Sequence, residues 1–510
     1  MRKVLAALLL AGLPGTALSQ APIRPIAPSS ASFADIIERV GPALDAHFER
    51  FMTEQHVPGL VWGIVADGRL AYVRTMGSLT PEDPSRTVTP DSLFRIASMS
   101  KAFTALAILK LRDEGRLRLD DLAERYVPEL RNWRYPTADS PRIRVRDLLS
   151  HVGGLVTDDP WGDRQQVLTE AEFTALLRQG PPFQRAPQTQ YEYSNYGYAL
   201  LGRIVSNVSG RRYQDYIRDE IMRPLGMAST GYDVFASPQE RRALGWRWEN
   251  ERFAREPDMR DGAFGAMGGV ETSANDYARW AAFLLSAWPA RDGAEQGPVR
   301  RATVRELAQG LNFISVTRRP GQPDSCPQAG AYGMGFRIAQ DCDLGLTMAH
   351  GGGYPGYGSY LLLLPEHGVA VFALSNRTYA GPSAPVWQAA VALHREGLLR
   401  ERPIPVSPAL AANYDAVRAM WTAGSLAPGR RQLAMNFLLD RSEENWTAEL
   451  ARLRQQAGTC RTEGPIVPTG ALAGQFQWTC ERGRLQGQLL LAPTSPPTIQ
   501  AWRMRVVPNQ

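Results

Sequence analysis

Apolar and polar positions alternate along the chain with periods that change from segment to segment. Ala102 to Leu109 is apolar except for Thr104, and a helix apolar all round belongs inside a fold rather than on its surface. Lys110, Arg112, Asp113 and Glu114 then add a polar face, and Gly115 supplies a stop. Upstream, Leu44, Phe48, Phe51 and Met52 follow helical spacing from Pro42, a residue tolerated in a first turn. Two apolar runs, 60–65 and 70–73, flank Asp67-Gly68, a tight-turn pair that predicts a hairpin. From Arg116 to about Asp258 the pattern predicts helices and loops. Asp147 to His151 reads as a short helix ending on Gly153-Gly154, and Gly197 to Ser209 as a helix with Leu200, Leu201, Ile204 and Val208 on one face. After Gly268-Gly269, Ser273 is placed to cap a helix burying Tyr277, Trp280, Ala281 and Leu284.

Strands return after Gly333. Residues 345–349, 360–364 and 369–374 are short apolar runs, the last two joined by Pro365-Glu366-His367-Gly368 as an antiparallel hairpin. Ala384 to Glu396 reads as a closing helix. Strands at both ends with helices between them predict an α+β domain over 33–400: an antiparallel sheet flanked by helices, with a helical insertion at about 116–258. Residues 401–408 form a proline-rich linker. Residues 409–510 predict a small α+β domain, with helices at 414–421 and 443–455. Its strands fall at 476–480 and 485–491, around Arg482-Gly483, and at 500–507.

A length of 510 residues favours two or more domains, and 44% hydrophobic with 21% charged residues is an ordinary globular composition. The net charge of +6 falls to +4 without Arg2 and Lys3, and the arginines are scattered. With no nucleic-acid-binding motif, a nucleic-acid partner is not expected. Residues 1–19 read as a secretory signal: a basic start, an apolar run from Val4 to Leu13 and Ala17-Leu18-Ser19 as cleavage site. That run is too short to span a bilayer, and no later stretch reaches about 18 apolar residues. The expectation is an exported, periplasmic protein without a membrane span, with residues 20–32 as a flexible lead-in. Nothing in the chain indicates an oligomeric state. The four cysteines allow three pairings. Cys326 with Cys342, and Cys460 with Cys480, are preferred as close in sequence. The six histidines form no ligand-spaced cluster with them, so no metal or other cofactor is expected.

The chemistry concentrates at Ser98-Met99-Ser100-Lys101, the mouth of the buried helix. Ser98 and Lys101 share one helix face, about 5–6 Å apart at Cβ. A hydroxyl becomes a useful nucleophile when a neighbouring base takes its proton, and a desolvated amine can be that base. The helix N-terminus adds a fixed positive dipole. The S-x-x-K spacing alone is weak, but of 57 basic residues only Lys3, Lys101 and Lys110 are lysines. Lysine can deprotonate and arginine cannot. Two further stretches could meet Ser98. In the first, Tyr191, Tyr193, Tyr196 and Tyr198 surround Asn195. Taken alone, the stretch reads first as an aromatic packing cluster; otherwise a tyrosine near a lysine offers a proton relay and Asn195 a substrate-amide contact. In the second, His350-Gly351-Gly352-Gly353 could leave amide N–H groups free for an oxyanion, or form a flexible turn. His151, alone at a helix end, reads as structural. Neither a G-x-S-x-G elbow nor an H-E-x-x-H motif is present.

Ser98-x-x-Lys101, Tyr193-Ser194-Asn195 and His350-Gly351-Gly352, in that order, resemble the serine β-lactamase and penicillin-binding superfamily. The branch is that of class C β-lactamases, D-alanyl-D-alanine carboxypeptidases and related esterases. The resemblance extends from about Phe33 to Arg400 and includes Phe94-Arg95-Ile96-Ala97, Leu148-Leu149-Ser150-His151 and Gly268-Gly269. It implies a β-lactamase/transpeptidase-like fold and a site in which Ser98 is acylated. Lys101 and Tyr193 would share the proton transfers, and Asn195 would orient the substrate amide. Backbone N–H groups of Ser98 and Gly353 would hold the oxyanion. His350 stands where many members carry lysine, and a neutral imidazole does not anchor a carboxylate as a permanent cation does.

Three readings follow. The first is an exported serine hydrolase acting through an acyl-enzyme on D-alanyl peptides or small esters or amides. The second is a class C-like β-lactamase, and the third a catalytically silent binding or sensor module. The Lys101→Arg variant tests the mechanism. It keeps the charge but cannot accept a proton, so acylation of Ser98 by a fluorophosphonate, followed by intact mass, is expected to slow by at least about 100-fold. Undiminished labelling would contradict a proton-accepting lysine.

Overall fold

The computed structural model describes residues 33–181 and 183–508. The expected secretory signal and lead-in lie outside the described residues. An eight-stranded antiparallel sheet organises the first part of the chain. Its strands are β1 (Gly59–Ala66), β2 (Arg69–Gly77), β3 (Asn312–Thr317), β4 (Gln328–Tyr332), β5 (Arg337–Asp341), β6 (Gly345–Tyr354), β7 (Tyr357–Leu364) and β8 (Val369–Ser375). They lie in the order β2-β1-β8-β7-β6-β5-β4-β3. Strands from both ends of the region thus meet in one sheet, and everything between β2 and β3 is inserted on one face.

On that face α4 (Ala274–Leu285) packs against β1, β2 and β8, and α2 (Lys101–Asp113) and α3 (Asn195–Ser209) pack on each other within the same hydrophobic cluster. The opposite face is covered by α1 (Phe33–Glu54) and α5 (Ser383–Arg395), which bury Phe48, Trp62 and Trp387. Strand β1 is buried at every position, as its unbroken apolar run requires. Asp45 of α1 ties the two layers by accepting from Trp62 Nε1 (3.0 Å) and Tyr72 OH (2.9 Å).

Several expectations need correcting. Helix α1 begins at Phe33 and runs through Pro42 instead of starting there. Burial of Ile37, Leu44 and Phe48 outweighs the single intrahelical bond that proline removes. The inserted region also contains a hairpin, Trp246–Glu249 with Arg252–Arg255, turned by Asn250 and Glu251 at φ of 49° and 55°. Left-handed residues at both turn positions match the twist of paired strands, but glutamate is no usual signature for them. Strands β3 and β4 precede Gly333, where the sheet was expected to resume. Residues 350–354, expected to follow a strand, continue β6.

Beyond Arg402, α6 (Pro408–Ala423) and α7 (Glu443–Ala457) pack on a second antiparallel sheet. It comprises β9 (Cys460–Arg461), β10 (Val467–Gly470), β11 (Ala473–Cys480), β12 (Gly483–Ala492) and β13 (Thr498–Val507). Its hydrophobic cluster, built on Tyr414, Trp421, Phe476, Trp478 and Trp502, is separate from those of the larger sheet. Both sequence-adjacent disulfides are present, Cys326–Cys342 and Cys460–Cys480. No helix among the described residues is long and apolar enough to cross a membrane.

The Cys460–Cys480 bridge closes a 20-residue separation within the second cluster. The Cys460→Ala/Cys480→Ala variant is therefore expected to destabilise only that unit, by about 3 kcal/mol. Scanning calorimetry should show one transition moving while fluorophosphonate labelling of Ser98 holds. Parallel loss of labelling would contradict separate cores.

Candidate active site

The nucleophile turn is shaped by its approach to the sheet. Phe94–Arg95 pairs with Glu271–Thr272, Ala97 adopts φ +48°, and a single 3₁₀ turn over Ala97–Ser100 leads into α2. A non-glycine residue in that left-handed region stores strain, and here it turns the chain abruptly onto the helix start. Gly352 of β6 allows the turn to lie against the strand: a Cβ there would fall 2.2 Å from both Ile96 O and Ser359 Oγ. Ser98 is thereby held at the junction of the sheet and α2.

Lys101 is completely buried. Its Nζ lies 3.1 Å from Ser98 Oγ, 2.7 Å from Asn195 Oδ1 and 2.8 Å from Met267 O. The last two atoms can only accept. A neutral amine has two N–H groups for them and one lone pair left, directed at Ser98. Tyr193 OH donates to Ser98 Oγ at 2.8 Å, so the serine proton is free to point at Lys101. Burial lowers the lysine pKa to about 8, against the opposing charges of Asp159, Asp163 and Asp158. Burial, followed by the charge of Asp159, pushes the Tyr193 phenol well above its ordinary range.

Asn195 opens α3. Ser194 caps the helix by accepting from Gly197 N at 3.3 Å, and Asp158 adds a second cap, accepting from Asn195 N (2.7 Å) and Tyr196 N (2.8 Å). The Asn195 Nδ2 group donates to Asp159 Oδ1. His151 is buried among Tyr191, Tyr193, Tyr198 and Tyr332, with its Nδ1 accepting from Ser194 N at 3.1 Å. It fixes the segment that carries Tyr193.

His350 is also buried. Its Nδ1 lies 2.6 Å from Gly351 O, which fixes the proton there, and its Nε2 accepts from Tyr332 OH at 3.0 Å. Burial, reinforced by the Lys101 charge, lowers its pKa to about 3. The imidazole is neutral and both nitrogens are engaged within the protein. Gly353 pairs with Gly358 of β7, and a Cβ on it would fall 2.8 Å from the Tyr379 ring. Strand β5 covers β6 only from Gly345 to Ala349, so that flank has no strand partner from His350 onward.

All six residues singled out from the sequence lie in this region. Two groups were missed. One is the acidic loop Asp158, Asp159 and Asp163. Asp163 is buried, accepts from Tyr379 OH at 3.0 Å, and burial with the Asp159 charge raises its pKa to about 7. Three carboxylates within six residues were a readable signal. The other is Arg337, exposed at the start of β5, with its guanidinium carbon 5.9 Å from the Tyr191 ring centre. Nothing in its local pattern distinguishes it from other surface arginines.

The beta-lactamase family model matches residues 44–396. The chain belongs to the beta-lactamase family. Its sheet with an inserted helical region is that family's fold. The Flp protein of Staphylococcus aureus is 26% identical over 343 residues, 65% of this chain and 62% of its own. The D-alanyl-D-alanine-carboxypeptidase/endopeptidase AmpH of Escherichia coli is 28% identical over 320 residues, 62% of this chain and 78% of its own. The chain thus spans less than two thirds of the length of Flp. Among solved structures, the octameric penicillin-binding protein homologue from Pyrococcus abyssi superposes with a TM-score of 0.59 at 20% identity. It covers 91% of this chain and 99% of its own. A class C beta-lactamase from Rhodobacter sphaeroides gives 0.52 at 23% identity, covering 69% and 99%. At these identities the superpositions speak to fold alone.

The lysine sets the pH dependence. With the neutral amine as the expected base, the rate of Ser98 phosphonylation should rise with pH through a midpoint near 8. The Asp163 carboxylate favours the charged lysine, so Asp163→Asn should move that midpoint downward. A midpoint that stays put, or moves upward, would contradict the electrostatic link.

Proposed function

We propose that the protein is an exported serine hydrolase that forms an acyl-enzyme on Ser98 from D-alanyl peptides or small esters and amides. The observation that carries the reading is the Lys101 environment, which leaves one lone pair of a neutral amine for the serine proton. In the proposed cycle Lys101 takes that proton as Oγ attacks the carbonyl carbon. The backbone N–H groups of Ser98 and Gly353 hold the oxyanion. As the C–N or C–O bond breaks, the proton passes through Tyr193 to the departing amine or alcohol. Water then attacks the acyl-enzyme by the same path in reverse. The raised Tyr193 pKa favours Lys101 over a phenolate as the initial base.

The substrate side supports a peptidase or esterase over efficient β-lactam turnover. The neutral His350 offers no fixed cation to a carboxylate. Exposed Arg337, beside Tyr191 at the start of β5, would take that part for the free carboxylate of a peptide leaving group. Export is supported by two disulfides, which persist in oxidising compartments, together with the expected secretory signal.

Intact mass after exposure to a fluorophosphonate and, separately, to penicillin tests the assignment, with Ser98→Ala as control. Adducts are expected that vanish in the control, with a penicillin adduct that persists. Rapid loss of that adduct with release of hydrolysed penicillin would favour the class C-like β-lactamase. Absence of either adduct on folded protein would favour a silent module. Arg337→Ala should raise KM for a D-alanyl-D-alanine peptide by about tenfold without a matching change for a neutral ester. An equal effect on both would remove Arg337 from carboxylate binding.

A further inference from the structure

The hydrogen bonds around Asn195 define what the site offers to the acyl side of a substrate, on the hydrolase reading above. The amide is pinned at both ends: Oδ1 accepts from Lys101 Nζ at 2.7 Å, and Nδ2 donates to Asp159 Oδ1. A lysine N–H only donates and a carboxylate only accepts, so the orientation cannot reverse. Asn195 therefore has its nitrogen turned to a carboxylate instead of free for a substrate carbonyl. The group standing open at that position is Asp159 itself, which is solvent-exposed.

The charges around it are one-sided. Asp158 is committed to the start of α3 and Asp163 to Tyr379 OH. Arg164, the neighbouring arginine in the chain, turns away to Glu256 at 3.9 Å. Lys101 is the cation whose field reaches these acids, and it is enclosed by Ser98, Asn195 and Met267. The imidazole across the site is neutral. The helical side of the cleft thus carries negative charge and an exposed carboxylate with lone pairs to spare, joined to Lys101 and Ser98 through Asn195.

We propose that Asp159 is a specificity-determining residue that selects acyl groups bearing a protonated amine close to the scissile carbonyl. The acyl group transferred to Ser98 is then the N-terminal residue of a short peptide, or an amino-acid amide or ester, with its ammonium on the Asp159 carboxylate. The covalent step is that of the cycle above: the Ser98 Oγ–carbon bond forms, the C–N or C–O bond breaks, and the serine proton leaves with the amine or alcohol. An N-acylated substrate offers one neutral N–H in place of the ammonium, loses the charge pairing and must fit an acyl group beside the carboxylate, and is disfavoured.

The test compares kcat/KM for alanine p-nitroanilide, in both configurations, with that for the N-acetyl counterparts. Wild type, Asp159→Asn and Asp159→Glu are measured on protein whose Ser98 labelling by a fluorophosphonate is read in parallel. Wild type is expected to favour the free amine of one configuration by at least about tenfold. Asp159→Asn should cut that ratio by about tenfold or more, and Asp159→Glu should retain most of it. An unchanged ratio in Asp159→Asn, with both rates falling together, would make Asp159 a positioning residue for Asn195 and overturn the proposal. So would a wild-type preference for the N-acetyl substrates, or turnover of neither while Ser98 is labelled. Wild type that is folded but unlabelled would instead remove the hydrolase reading on which the proposal rests.

Discussion

An ammonium group without solvent is expensive, and the centre of this fold is built around one amine that has none. Three separate parts of the chain supply its partners: the turn before α2, the first residue of α3, and the loop ending at Met267. A pKa near 8 instead of 10.5 corresponds to roughly 3 kcal/mol in favour of the neutral form relative to water. At neutral pH about a tenth of the molecules then carry the free base. Burial alone would push the amine lower. Asp159, Asp163 and Asp158 work against it, so their placement sets how much base is present as well as what lies beside the substrate.

The rest of the architecture can be understood as holding those partners in register. The sheet fixes the nucleophile turn through the contact of Gly352 with Ile96, where no side chain fits. Asp158 and Ser194 fix the start of α3 and so the Asn195 side chain. His151, packed between tyrosines, fixes Tyr193. His350, in the strand facing the nucleophile, acts inside the protein by bridging Tyr332 and its own neighbour's carbonyl. The cleft consequently has a neutral imidazole where a cation could stand, acids on its helical side, and an exposed arginine one strand away.

Much of this was legible in the sequence because it was local. The helix carrying Lys101, the cap at Ser273 and the hairpin at Asp67-Gly68 follow from spacing and residue chemistry, and the preferred cysteine pairing is the one present. What was missed depended on tertiary context. Pro42 is tolerated because α1 buries an apolar face on the sheet. Glu251 accepts a left-handed turn because its flanking strands demand it. Strand β3 carries Phe313 and Val316 exposed, so its burial pattern announced no strand. Arg337 stands beside the open flank of β6 only because β5 begins where β6 continues, a relation visible in register alone.

The site turns on the protonation state of Lys101, which the scarcity of lysine makes directly measurable. With three lysines in the chain, ¹³Cε-lysine labelling gives a spectrum that a Lys110→Arg variant assigns. One Cε resonance is expected to titrate with a midpoint near 8, moving lower in Asp163→Asn. A Lys101 resonance that stays in the ammonium position to about pH 10, as in water, would contradict it.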